Sequence, residues 1–120
     1  MGPIPTFSAD PKFAPELKPW PPFEKILSGK PDQRGHFAPE DETGLLTGLW
    51  ECEVGRFNVD KFFSEAFEFS YILTGKLKIT SAAGESAVYG PGESIITPFG
   101  FKGEWEVIEP VRKVFAIRKL

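Results

Sequence analysis

Imidazole and thiolate side chains, the commonest transition-metal ligands and nucleophiles, are scarce in this chain. It has one histidine, His36, and one cysteine, Cys52. Zinc, manganese, iron and nickel centres take three or four ligands from imidazole, carboxylate and thiolate. With one imidazole and one thiolate in the chain, such a centre would have to rest mainly on carboxylates, and no metal and no other cofactor is expected. Cys52 has no histidine in its stretch to take its proton, and it reads as a small buried apolar residue rather than a nucleophile. His36 falls in a proline-rich stretch and reads as a solvated or capping histidine in a loop.

The elements that position these residues follow from composition and pattern. At 120 residues the chain is long enough for one domain with a real core, but not for two. The net charge is −3, with both signs mixed along the sequence. No Lys/Arg stripe exists to track phosphates, which argues against nucleic acid. No apolar run approaches the length of a membrane span. The N-terminus lacks the pattern of a signal peptide, and a lone cysteine suits a reducing compartment, so a cytoplasmic location is expected. Twelve Phe stand against three Trp and two Tyr. That excess points to a thick apolar core, a buried interface, or both.

Proline divides the sequence. Nine of the twelve prolines lie between Pro3 and Pro39. Proline fixes φ and removes a backbone donor, so this part cannot be continuous helix or central strand. Residues 1–44 read as an extended arm packing on the barrel or on a partner, anchored by Phe7, Phe13, Trp20 and Phe23. A helical turn is weakly signalled near Phe23–Leu27. Residues 45–120 read as the β domain.

There the pattern alternates with period 2, the mark of half-buried strands. It does so over Trp50–Val54, Lys76–Thr80 and Glu104–Val107, and a last β-rich run covers Val111–Leu120. Turn signals stand between them at Thr74-Gly75, Ala83-Gly84, Gly90–Gly92, Phe99-Gly100 and Glu109-Pro110. Short strands with such punctuation suggest a barrel or sandwich. In Phe67–Leu73, one face carries Phe67, Phe69, Tyr71 and Leu73, and the other carries Glu68, Ser70 and Ile72. If the polar face looks into a barrel, four bulky apolar residues look out. An exposed patch of that kind marks an interface, and a homodimer is expected, with the arm as the other possible cover.

The spacing from Gly55 to Gly103 resembles the cupin superfamily, the RmlC-like jelly-roll barrels. Their first motif runs from a glycine through H-x-H and a glutamate to a second glycine; Gly55, Glu68 and Gly75 fit it. The second runs from a glycine through P-x-G to a histidine and an asparagine; Gly92, Pro98 and Gly100 fit it. Where the family has its histidines, this chain has Lys61, Phe63 and Gly103, and Val107 stands for the asparagine. Four phrases are similar to small single-domain cupins related to (S)-ureidoglycine aminohydrolase and the ethanolamine-utilisation cupins. They are GLWEC at 48–52, YILTG at 71–75, YGPGE at 89–93 and FKGEWEVIEPVRK at 101–113. Many members of that subgroup have no assigned activity.

The resemblance implies an all-β, RmlC-like cupin jelly-roll barrel whose metal site is degenerate. Mapped onto it, Lys61 and Glu68 could form an ion pair where the metal would sit. Lys61, Phe63, Glu68, Ser70, Trp50 and Trp105 are the expected ligand-binding residues, with Cys52 and Tyr89 as further candidates for the lumen. Phe99 or Phe101 would gate the mouth or cap the core. The expected function is metal-independent binding of a small anionic or amino-acid-like molecule. One alternative is an aminohydrolase, lyase or isomerase using Glu68 as general base or Lys61 as nucleophilic amine. Another is a dimeric interaction module with a filled lumen.

Overall fold

The computed structural model describes residues 16–38 and 44–119. Among them, nine strands and one helical turn follow in order. They are β1 (Lys18–Pro19), β2 (Ile26–Gly29), β3 (Gln33–Phe37), β4 (Leu45–Cys52), β5 (Gly55–Asn58), α1 (Asp60–Phe63), β6 (Ala66–Ser81), β7 (Ser86–Tyr89), β8 (Ser94–Thr97) and β9 (Gly103–Lys119). All nine strands belong to one antiparallel sheet that curls into an all-β jelly roll, as expected from the sequence.

Two long strands, β6 and β9, form its spine. They pair with each other from Ala66↔Lys119 to Ser81↔Gly103. β4 and β5 flank β9 on its other side, and β7 and β8 flank β6. Alternation sorts the side chains as the pleat requires. Glu68, Ser70 and Ile72 of β6 are buried, while Phe69 and Tyr71 between them are exposed. In β9, Val111, Lys113, Phe115 and Ile117 all face inward. With Trp50, Phe57, Phe63, Leu77, Trp105 and Val107 they build the core.

Two turn signals have a different role from the one predicted. Thr74-Gly75 and Glu109-Pro110 end no strand. They lie opposite one another inside β6 and β9, where the register shifts between Ile72 and Leu77. Paired irregularities of this kind bend a long ladder without breaking it. Gly75 takes φ +89°, and a Cβ there would lie 2.1 Å from the Pro110 carbonyl oxygen. Only a residue without a side chain lets the two strands approach so closely at the bend.

The described part of the arm is not a strap laid over the barrel. β3 pairs with β4, β1 pairs with β3, and β2 pairs with β5, so residues 18–37 extend the sheet itself. The helical turn expected near Phe23–Leu27 is absent; β2 begins at Ile26 instead. The prolines tolerate this because most sit in connections, and Pro19 lies in an edge strand. Trp20 lies against Gly35 and stacks on Phe37 with ring centroids 4.9 Å apart. Phe23 stacks on Phe57 at 3.6 Å. The other two anchors, Phe7 and Phe13, lie outside the described residues.

Gly75 and Gly84 share φ +89°, but a Cβ on Gly84 meets nothing within 4 Å. Gly84→Ala therefore carries only the backbone penalty, about 1 kcal/mol, whereas Gly75→Ala adds a backbone clash and should cost about 2 kcal/mol or more. Urea unfolding of the two variants checks the difference.

Candidate functional site

The inward alternation of β9 puts an ammonium in the core. Arg112 and Lys113 are consecutive, so a strand must send one of them to each face. Arg112 goes to the outer face, where Glu51 takes its Nη1 donor and also accepts from Arg34. Lys113 goes inward, opposite Trp50 of β4 and Ile72 of β6. Its Nζ donates to Glu68 Oε1 at 2.6 Å, and the two side chains are only 2% and 5% exposed. The same nitrogen lies 4.7 Å from the centroid of the Trp50 ring and 4.3 Å from that of Trp105. The indoles cross edge-on, 6.0 Å apart. A cation over two indole faces gains electrostatic stabilisation in a place where water cannot supply it. Trp50 is held in turn by β3: its Nε1–H donates to Gln33 Oε1 at 2.8 Å. The Nε1–H of Trp105 is buried with no acceptor.

This group lies in the wall of a cavity of about 830 Å³. Trp20, Phe23 and Phe37 from the first strands and their connections, Phe63 and Phe115 supply much of the remaining wall. At the mouth, Lys61 Nζ meets Glu24 Oε1 at 2.6 Å, joining α1 to the segment before β2. The arrangement is an aromatic-walled recess with one buried donor–acceptor pair, the general form of a small-molecule site.

The predicted site residues separate into two groups. Trp50, Phe63, Glu68 and Trp105 come together around the cavity, and Lys61 lines its mouth. The predicted Lys61–Glu68 ion pair does not form. Lys61 is largely exposed and bound to Glu24, whose carboxylate raises the Lys61 pKa. The reason is local. An H-x-H spacing puts both side chains on one face only in a strand, and residues 60–63 are helical. Phe63 is fully buried, so Lys61, two residues before it on a helical turn, is turned away. The turn is fixed there by the Gly103 N–H, which donates to Asp60 Oδ1, and by the Val59 N–H, which donates to the Gly103 carbonyl. Ser70 is buried between neighbours on β8 and β9 and is not part of the cavity wall. Lys113 was not among the predicted residues. The signal for it was the Arg112-Lys113 doublet inside a β run.

The other candidates have structural places. Phe101 packs against Phe63 with centroids 5.9 Å apart, which caps the core, whereas Phe99 is exposed beside Phe67. Tyr89 packs partly buried against the core. His36 is half-buried in β3 opposite Leu49, in a strand rather than a loop. Cys52 is a free, buried thiol, as expected. Burial pushes its pKa up to about 12, aided by the charge of Glu53.

The residues at the metal positions of the resembled motifs do not fit a metal. Phe63 fills the core, and Lys61 is held at the mouth by Glu24. A Cβ on Gly103 would lie 2.1 Å from the Thr80 carbonyl oxygen, so no ligating side chain fits there without a backbone shift. Glu68 already faces an ammonium. No group of three or more His, Cys, Asp or Glu able to hold a metal occurs among the described residues.

Residues 40–115 match the family model described as the EutQ-like cupin domain. The chain belongs to the EutQ-like cupin family. No curated protein matches this cupin. Among solved structures it is similar to a protein of unknown function from Pseudomonas syringae pv. tomato, of the DUF861 family. That match has 20% identity and a TM-score of 0.77, over 86% of this chain and 44% of the other. It is similar to the EutQ protein of Clostridium difficile, with 21% identity and a TM-score of 0.64, over 73% of this chain and 63% of that one. A DUF861 protein from Thermotoga maritima is 36% identical, with a TM-score of 0.51, over 56% of this chain and 73% of its own. The cupin thus spans less than half of the Pseudomonas protein and less than two thirds of the Clostridium one.

Removing one partner of a buried pair strands the other. Lys113→Met should lower stability by about 3–5 kcal/mol, and the double change with Glu68→Gln should recover much of that. Lys61→Ala should be indistinguishable from the parent in the same urea titrations. For Cys52, the folded pKa lies above the ordinary 9.0, so the fold favours the neutral thiol. That contribution is complete below about pH 9 and falls as pH rises from there toward 12, because only the unfolded chain ionises freely. At pH 8 an aromatic disulfide reagent should label Cys52 slowly in the native protein and promptly in denaturant.

Proposed function

We propose that this cupin binds a small polar metabolite in the barrel without a transition metal. Lys113 and Glu68 form the polar end of the site, and Trp50, Trp105 and Phe63 belong to its walls. The reading rests on one observation: a buried Lys–Glu pair in the wall of an otherwise aromatic cavity of about 830 Å³. Burying two charges is costly, and an apolar pair of similar volume would stabilise a core as well or better. A polar pair beside a recess is instead well placed to meet a ligand's polar group. The crowded donor positions at Phe63 and Gly103 support a metal-free site. A single cysteine, held as a free buried thiol, suits a reducing compartment and so a cytoplasmic location.

We propose further that the protein is a homodimer through the outer face of β6 and β8. Phe69 and Tyr71 are both more than 40% exposed there, and Ile96, opposite Phe69, is 67% exposed. Light scattering at micromolar concentration should give twice the chain mass, and Ile96→Lys with Phe69→Glu should give a monomer. A monomeric parent would remove this part of the reading.

Binding is tested by tryptophan fluorescence and thermal shift against a panel of small carboxylates, amino acids and amides. At least one compound should bind, and Lys113→Met or Glu68→Gln should weaken it about tenfold or more. If no compound perturbs the native protein, the cavity is a packing feature and the proposal fails. Metal content by mass spectrometry, on protein purified without chelator, should stay below about a tenth of an ion per chain.

A further inference from the structure

The charged side chains that line the cavity balance, Glu24, Asp60, Glu65 and Glu68 against Lys25, Lys61, Lys113 and Lys119, and this constrains what can enter. At the deep end the Lys113 ammonium and the Glu68 carboxylate are 2.6 Å apart. Nearer the mouth, Glu24, Asp60 and Glu65 are matched by Lys25, Lys61 and Lys119, and Glu24 and Lys61 are already paired. A cavity lined by balanced charge concentrates neither anions nor cations. An anion approaching Lys113 also approaches Glu68, and a cation approaching Glu68 also approaches Lys113. The aromatic walls penalise any ion that leaves water without full compensation.

We infer that the cavity selects uncharged ligands carrying a hydrogen-bond acceptor and donor side by side, of which a primary carboxamide on an apolar body is the simplest. This rests on the binding reading given above, and it differs from the anionic or amino-acid-like ligand expected from the sequence. The carboxamide oxygen meets the Lys113 ammonium, and its N–H meets the Glu68 carboxylate, so neither buried charge loses its partner. The buried Trp105 Nε1–H lacks an acceptor, and the ring that carries it lies 4.3 Å from Lys113 Nζ. Zwitterions satisfy the balance of charge but leave two strongly hydrated groups against indole and phenyl faces. The remaining walls, including Phe23, Phe63 and Phe115, suit a flat apolar body.

Three probes share one body and differ in head-group charge: benzamide, benzoate and benzylamine. Each is titrated into the full chain labelled with 15N, and the indole N–H resonances of the tryptophans are followed by NMR. Benzamide should bind about tenfold or more tightly than either ion, because a site that pairs a donor with an acceptor rejects analogues lacking one of them. Glu68→Gln, which leaves Lys113 uncompensated, should shift the order toward benzoate by a similar factor. Benzoate or benzylamine binding the parent protein as tightly as benzamide overturns the selectivity and leaves the binding reading standing. If none of the three moves an indole resonance of the parent, the binding reading fails and the selectivity goes with it. The parent result decides the matter even if the variant does not fold.

Discussion

An ammonium and a carboxylate taken out of water must satisfy each other, and this demand organises the centre of the barrel. Lys113 comes from β9 and Glu68 from β6, the two strands that carry most of the sheet. Their contact holds only if both strands keep a register that sends these residues to the same face. Trp50 and Trp105 close over the ammonium, and Gln33 fixes Trp50 from a third strand. A shift of one residue in β9 would exchange Lys113 for Arg112 and expel the inner row of apolar residues. The pair is therefore a register lock as well as the polar part of a cavity, a use of buried charge known from other folds.

The bend across the middle of β6 and β9 makes that closure possible. Strands of 16 and 17 residues would otherwise run past the core. Gly75 and Pro110 give the bend its geometry, the first by lacking a side chain and the second by lacking a donor. The early strands then enlarge the sheet and bring Trp20, Phe23 and Phe37 to the edge of the recess. These rings add to the aromatic wall that Trp50, Phe63, Trp105 and Phe115 supply from the later elements.

The three positions that correspond to imidazoles in the resembled motifs are occupied here in three physically different ways. Lys61 sits on a helical turn that faces the mouth, Phe63 has become core, and Gly103 is pressed against the backbone of β6. Glu68 points inward, where the cation that faces it is an ammonium from the last strand.

Much of the fold was legible in the sequence because period-2 alternation is a local property. It ran through the end of β4, the second half of β6 and the first half of β9, and it put Glu68 on the opposite face of its strand from Phe69 and Tyr71; which face looks inward was left to the structure. The spaced glycines and Pro98 marked the kind of barrel. Trp50, Phe63, Glu68 and Trp105 were assigned to the lumen with the help of the family resemblance, as were Cys52, Ser70 and Tyr89, which do not line the cavity. Three things depended on the tertiary structure. Whether Thr74-Gly75 and Glu109-Pro110 end strands or bend them was settled by their lying opposite each other, a contact between distant segments. Whether residues 18–37 strap or extend the sheet was settled by hydrogen bonds to β4 and β5, which no local pattern announces. The partner of Glu68 was decided by which cation the folded chain brings within reach: a one-turn helix carries Lys61, seven residues away, to the mouth, while strand pairing brings Lys113, distant in sequence, to 2.6 Å.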